Sequence, residues 1–223
     1  MSFTISRRDA IAAGAGVVGA HMAFPGAHFS AAATSSDSET PPPRALRPGT
    51  TPVRLATRMT RAGNETPEET VKRIREGGFT AVNTQPSQWN ASERAELVTA
   101  LKKYDVTVFE VGAYSNIIHP DTAAREKILS AIVRKFEDSE SVGGSLVATV
   151  SGCCDPKYLI NPHPDNWSAA TWKVLVGSVR RILNDTSGMK TSLGMEAQIT
   201  TNIDGPASHR RLIDDVGDPR CAV

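Results

Sequence analysis

The sequence predicts an α/β fold built on parallel strands, and two observations carry that reading. Six short runs rich in Val, Leu or Ala begin near residues 53, 80, 106, 145, 192 and 220, and most of the segments between them are amphipathic and long enough to be helices. Near-continuous apolar runs of this length suit strands covered by helices. Parallel strands joined by right-handed helical crossovers form either an open doubly wound sheet or a (β/α)8 barrel. No Gly-x-Gly-x-x-Gly turn follows the first run, which takes support from a dinucleotide-binding sheet.

The elements follow in order. "VRLATRM" is the first expected strand, and "TPEETVKRIREGG" after it opens a helix with Thr66 as N-cap, Pro67 at the first helical position and Glu69 three residues past the cap. That helix closes on Gly77 and Gly78, the usual stop. "TAVNTQ" is the second strand, and "SERAELVTALKKYD" repeats the helix design with Ser92 as the expected cap and Leu97, Val98 and Leu101 on one face. "VTVFEVGAY" is the third strand. The helix "DTAAREKILSAIVRKFED" then puts Ile128, Leu129, Ile132, Val133 and Phe136 on a single stripe, as a helix with one buried face requires. "SLVATVSG" and "SLGMEAQ" are the fourth and fifth strands, separated by "SAATWKVLVGSVRRILND" with its stripe of Trp172, Leu175, Val179, Ile182 and Leu183. "RCAV" starts a sixth. A full barrel has eight strands and about 250 residues, so the region 53–223 is expected to be an incomplete one that is cut at Val223.

The N-terminus is of another kind. "SRRDAI", the small apolar run "AAGAGVVGAHMAF" and "SAAAT" follow one another as charge, weak apolar stretch and small-residue cleavage site, so residues 1–33 read as a signal peptide cleaved after Ala33. Arg7 and Arg8 after Ser6 resemble the twin-arginine signal, with Ala10 where a bulky residue is usual and Ile11 next. The alternative is an ordinary helix start capped by Ser6. Export by the twin-arginine machinery to the periplasm or the cell exterior is the expectation. Residues 34–52, rich in Ser, Thr and Pro, read as a disordered linker.

Removal of residues 1–33 takes away Arg7, Arg8 and Asp9 and leaves basic and acidic side chains equal in number. A neutral chain has no electrostatic footprint for nucleic acid, which is not expected as a partner. Cys153, Cys154 and Cys221 have no Cys-x-x-Cys spacing and read as free thiols.

One residue stands out. Glu196 lies between apolar residues of "SLGMEAQ", and a carboxylate buried in a strand needs a cation, a metal or a hydrogen-bond network.

Six pieces, in order, resemble one family: "GGFTAVNTQ", "NIIHPD" with "AAREK", "VGGSLVATVSG", "NPHPDNWSAATWKVL", "LGMEAQ" and "DDVGDPRCAV". Together they are similar to the xylose isomerase-like TIM barrels of the sugar phosphate isomerase/epimerase superfamily, over about residues 53–223. The resemblance implies a parallel (β/α) barrel of TIM type, incomplete at about six of eight βα units. It also implies a carbohydrate partner and a divalent ion, Mn or Mg, held in part by Glu196, with proton transfer through an enediolate. The family's other ligands, an Asp after the sixth strand, a later His and a Glu on the eighth, have no counterpart in this chain, so the chain is not expected to retain the ion or to turn sugar over. A non-catalytic carbohydrate-binding or vestigial barrel is the alternative.

In the same frame His119, on the loop after the third strand, either touches substrate or orders its loop. Asn83, Gln85, Ser151 and Gln198 end strands on the side where sugar hydroxyls would bind. His163, in the long loop after the fourth strand, is read as part of a surface turn, with a lid as the alternative, and Glu110 is expected to pair with Arg54 or Arg58. Open strand edges and helices without neighbours favour association. Residues 34–223 expressed alone are therefore expected to aggregate or to melt without cooperativity, and to show no isomerase turnover. A sharp thermal transition of a dispersed monomer with metal-dependent turnover, seen by calorimetry and a coupled sugar assay, would show that six strands suffice.

Overall fold

The computed structural model describes residues 53–222. The expected signal peptide (1–33) and linker (34–52) lie outside the described residues. Strands β1 (Ala56–Arg58), β2 (Ala81–Thr84), β3 (Thr107–Asn116), β4 (Leu146–Val150), β5 (Ser192–Glu196) and β6 (Cys221–Ala222) form one sheet in sequential order. Every neighbouring pair is parallel. A doubly wound sheet reverses its strand order, whereas a barrel wall does not, so the order settles the choice left open by the sequence pattern.

Between the strands run helices α1 (Pro67–Glu76), α2 (Ala91–Lys103), α3 (Thr122–Ser141), α4 (Ala169–Asp185) and α5 (Pro206–Val216). Helix α1 has the expected capping box: Thr66 Oγ1 accepts from the Glu69 amide at 3.2 Å and Glu69 Oε2 accepts from the Thr66 amide at 2.8 Å. The start of α2 corrects the expectation. Its cap is Asn90 and not Ser92, because Glu93 stands three residues after Asn90 and reaches back to its amide at 3.0 Å, while Ala95 stands three after Ser92. Only a Glu or Gln at that position closes the box.

The helices cover one face of the sheet. Val82, Val108, Val111, Val147, Leu193 and Met195 from the strands are buried against helix residues that include Ile74, Leu97, Ile132, Phe136, Leu175, Ile182 and Leu212. Each fully buried large apolar side chain contributes about 1.5–3 kcal/mol relative to exposure. Of the α3 stripe, Leu129, Ile132 and Phe136 are buried while Ile128 packs at the margin.

Two register slips bend β3. Val82 faces Val108, but Asn83 faces Glu110, so one extra residue, Phe109, is inserted; a second slip lies between Gly112 and Asn116. Bulges of this kind re-aim side chains near a site. Just after β4, Gly152 has φ +88, and a Cβ there would lie 2.1 Å from Asn116 Oδ1. Asn116 in turn donates to Cys153 O at 2.7 Å, which ties the end of β3 to the β4 loop. Gly78 has a similar φ of +85 but open space around it.

These two glycines separate strain from collision. Gly78→Ala is expected to cost about 1 kcal/mol, the left-handed backbone alone. Gly152→Ala is expected to cost at least about 3 kcal/mol, because Asn116 must move as well. Urea unfolding of the two variants measures the difference, and equal costs would show that the Asn116 contact gives way freely.

Candidate functional site

Side chains alternate along β5: Leu193 and Met195 are buried under helices, and Ser192, Gly194 and Glu196 point to the other face. Glu196 is exposed, which corrects the expectation of a buried acid. Its apolar neighbours in sequence are on the opposite side of the sheet, so it has no desolvation to offset. Gln198 Nε2 donates to Glu196 Oε1 at 2.7 Å.

The same face of β3 presents Glu110, Gly112 and Tyr114. Tyr114 donates its hydroxyl to Glu110 Oε1 at 3.3 Å. Asn83 Nδ2 donates to Glu110 Oε1 at 2.5 Å. Two hydrogen-bonded sets therefore stand on this face: Asn83, Glu110 and Tyr114 across β2 and β3, and Glu196 with Gln198 at the end of β5. Burial pushes the Tyr114 hydroxyl well above the usual tyrosine range, helped by the carboxylates of Glu196 and Glu110 nearby. Burial also raises the Glu110 carboxyl above its ordinary value, with the charge of Glu196 adding to it and the Tyr114 hydrogen bond working against it.

Glu110 does not pair with Arg54 or Arg58, a second correction. Arg54 bonds Asp105 Oδ1 at 3.0 Å and Thr80 O at 3.1 Å. In a parallel sheet the residues before each strand lie together at one end, and Arg54, Thr80 and Asp105 all precede their strands. Arg58 makes no side-chain hydrogen bond or ion pair among the described residues, and lines a cleft of about 420 Å³ with Asn83, Gln85, Phe109, Gly112 and Tyr114. A Cβ at Gly112 would lie 3.1 Å from the Tyr114 ring and 3.2 Å from Gln85 Nε2, so the absence of a side chain there admits both.

Of the residues expected at the site, Asn83 bonds Glu110, Glu196 and Gln198 bond each other, and Gln85 lines the cleft. Gln85 also uses both ends of its amide, donating to Gly112 O at 2.8 Å and accepting from Lys135 Nζ at 3.2 Å. Ser151 is buried, with its carbonyl accepting from the Ile118 amide at 3.2 Å. His119 Nδ1 accepts from the Asp121 amide at 3.1 Å, and the His119 carbonyl accepts from Arg125 at 2.5 Å; both bonds order the entry to α3. His163 Nδ1 accepts from the Asp165 amide at 3.2 Å ahead of a short 3-10 turn, Pro164–Trp167. Tyr114, which bonds Glu110 and lines the cleft, is the candidate residue that sequence reasoning missed. Its signal was the spacing Glu110, Gly112, Tyr114, which places all three on one strand face.

Among the described residues, no group of three or more His, Cys, Asp or Glu side chains is placed to hold a metal ion. Glu110 and Glu196 are two carboxylates, already bonded to Asn83, Tyr114 and Gln198, and fall short of the oxygen set that a hard divalent ion requires.

Sequential parallel strands alternating with helices are also what known proteins share with this chain. The family described as Xylose isomerase-like TIM barrel matches residues 71–223. The chain belongs to this family. Among solved structures, L-ribulose 3-epimerase is 13% identical with a TM-score of 0.61, covering 75% of this chain and 58% of its own. D-psicose 3-epimerase, solved in the presence of D-fructose, is 13% identical with a TM-score of 0.57, covering 71% and 57%. A xylose isomerase-like TIM barrel protein from Mycobacterium smegmatis, in complex with magnesium, is 18% identical with a TM-score of 0.50, covering 69% and 54%. Likeness at these identities shows the fold, and the chain spans somewhat more than half the length of each. No curated protein matches the chain.

The raised carboxyl of Glu110 has a defined pH signature. Its stabilising contribution is complete below the unfolded carboxyl value, near 4.5, and drains away as pH rises through the higher folded value. Glu110→Gln, which keeps an acceptor for Asn83 without the charge, is therefore expected to match the wild type at pH 4 and to melt at a higher temperature at pH 8. Thermal scans across that range check it, and a constant gap would assign the difference to packing.

Proposed function

We propose that the barrel face bearing Glu196 moves a proton on a sugar, as in isomerase or epimerase chemistry that passes through an enediolate. The observation that supports this most is the pair of hydrogen-bonded carboxylates, Glu110 with Asn83 and Tyr114 and Glu196 with Gln198, beside a cleft of ligand size. Glu196 is exposed, oriented by Gln198, and suited to take a proton from a carbon next to a sugar carbonyl and return it to the neighbouring carbon on the same face; inversion at one carbon, the epimerase outcome, requires a second acid on the opposite face. Tyr114 stays protonated at neutral pH and orients Glu110 through its hydroxyl. Arg58 and Asn83 offer donors to hydroxyl and carbonyl oxygens, and Phe109 offers a flat apolar wall for C–H groups.

The D-psicose 3-epimerase solved in the presence of D-fructose supports a ketose as the substrate class. The relative in complex with magnesium supports a divalent ion in the complete site, with Glu196 the carboxylate that would hold it here; the remaining ligands are not among the described residues, and the proton transfer argued above does not route through the ion. Export through the twin-arginine machinery remains a proposal that rests on residues 1–33 alone. The second reading, a carbohydrate-binding barrel without turnover, is favoured by the short carboxylate set.

The partial reaction that needs only the base tests both. Deuterium exchange into D-fructose, followed by NMR in D2O, is expected to be faster with the wild-type chain than with Glu196→Gln by at least about tenfold, the low end of what a positioned base contributes. Saturable sugar binding with no exchange above the variant would replace the enzymatic reading with the binding one.

A further inference from the structure

The cleft of about 420 Å³ at the ends of β1, β2 and β3 falls within the roughly 300–1,000 Å³ typical of small-molecule sites. One charged side chain lines it, that of Arg58, which is exposed and has no hydrogen bond or ion pair among the described residues. The other lining groups are neutral: the amides of Asn83 and Gln85, the rings of Phe109 and Tyr114, and small residues of β1 and β3. Arginines that line other clefts are engaged. Arg180 Nε donates to Val216 O at 3.2 Å, Arg211 pairs with Asp215 at 3.5 Å, and Arg125 donates to the His119 carbonyl.

The register explains why Arg58 stays free. Arg58 is opposite Asn83, and Asn83 is opposite Glu110, so the three stand in one row across β1, β2 and β3. Two strand spacings put Arg58 and Glu110 about 10 Å apart along that row, close enough for two long side chains to meet. Asn83 stands between them and supplies the acid instead: its Nδ2 donates to Glu110 Oε1 at 2.5 Å, and the Tyr114 hydroxyl donates to the same oxygen at 3.3 Å. Glu110 thus takes its donors from neutral groups, and the guanidinium keeps its N–H groups for a ligand.

These features narrow the ligand chemistry. A guanidinium presents a planar fork that matches a carboxylate through two parallel hydrogen bonds. The two negative charges of a phosphate call for more than one cation or for a run of backbone N–H groups, whereas a single cation lines this cleft and the row that carries it ends in Glu110. A neutral sugar leaves the fork unused. The best match is a sugar with one carboxylate, its C–H groups against Phe109 and Tyr114.

We propose that Arg58 makes this face selective for a ketose that carries a carboxylate, the guanidinium pairing with that group; this rests on the reading of the face as a sugar site and adds the class of sugar. Calorimetric titration of the full chain with D-fructose, D-fructuronate and D-fructose 6-phosphate tests it, since the three differ only at the last carbon. D-Fructuronate is expected to bind at least about tenfold more tightly than D-fructose, the size of one charge-assisted pair. Arg58→Gln, at an exposed position, should bring the two to the same affinity, and added salt should weaken the binding of D-fructuronate and not that of D-fructose. Glu196→Gln should keep the preference while it slows deuterium exchange. A preference without exchange in the wild type therefore supports the role of Arg58 and removes the proton-transfer reading, and exchange with equal binding does the reverse. Equal binding of D-fructose and D-fructuronate, a preference that Arg58→Gln retains, tighter binding of D-fructose 6-phosphate than of D-fructuronate, or no saturable binding of any of the three would each overturn it.

Discussion

The burial of one sheet face under five helices is the constraint from which the rest of the molecule follows. A strand residue such as Val147 or Leu193 has helix atoms above it and leaves water completely. Because side chains alternate, each such residue commits its neighbours to the opposite face. That face has no helix to cover it, so polar side chains there keep water or pair among themselves. The carboxylates of Glu110 and Glu196 stand on it as a consequence of the apolar packing behind them.

On the open face the governing interaction is the pairing of Glu110 with Asn83 and Tyr114. Two acids on one sheet face repel, and each is held by neutral donors instead, Glu110 by Asn83 and Tyr114 and Glu196 by Gln198. The pairing of Glu110 depends on the slips in β3, which put Glu110 rather than Phe109 opposite Asn83 and leave Tyr114 beyond Gly112. The bulges are therefore part of the site. A regular β3 would align Asn83 with an aromatic ring and break the hydrogen-bonded set at its first link.

The legible and illegible parts of the chain divide by the range of the interactions involved. The cap at Thr66 was readable because every atom it needs lies within three residues. The same rule applied with the wrong starting residue misplaced the next cap at Ser92, although Asn90 and Glu93 had the required spacing. Five of the six strands lie within the runs read from composition, and β3 runs two residues past its own, to Asn116, since apolar content and length suffice to find strands that helices cover. Glu196 was legible as a site residue and illegible as to exposure, because apolar neighbours in sequence lie across the sheet from it. Asn83 was chosen for its place at a strand end, but its partner Glu110 was assigned to an arginine that is engaged at the far end of the strands.

By itself the amino-acid sequence determined the parallel α/β class, the order of the elements, the helix stripes and the family, because each rests on local periodicity, on caps or on motifs in sequence. Tertiary structure alone decided the strand order, the slips in β3, the bonding of Glu110 by Asn83 and Tyr114, and the unpaired amide of Asn202. Those depend on which side chains meet across strands and loops that are far apart in the chain. Nothing in local sequence encodes such a meeting, since it is set by the register at which whole strands and helices pack.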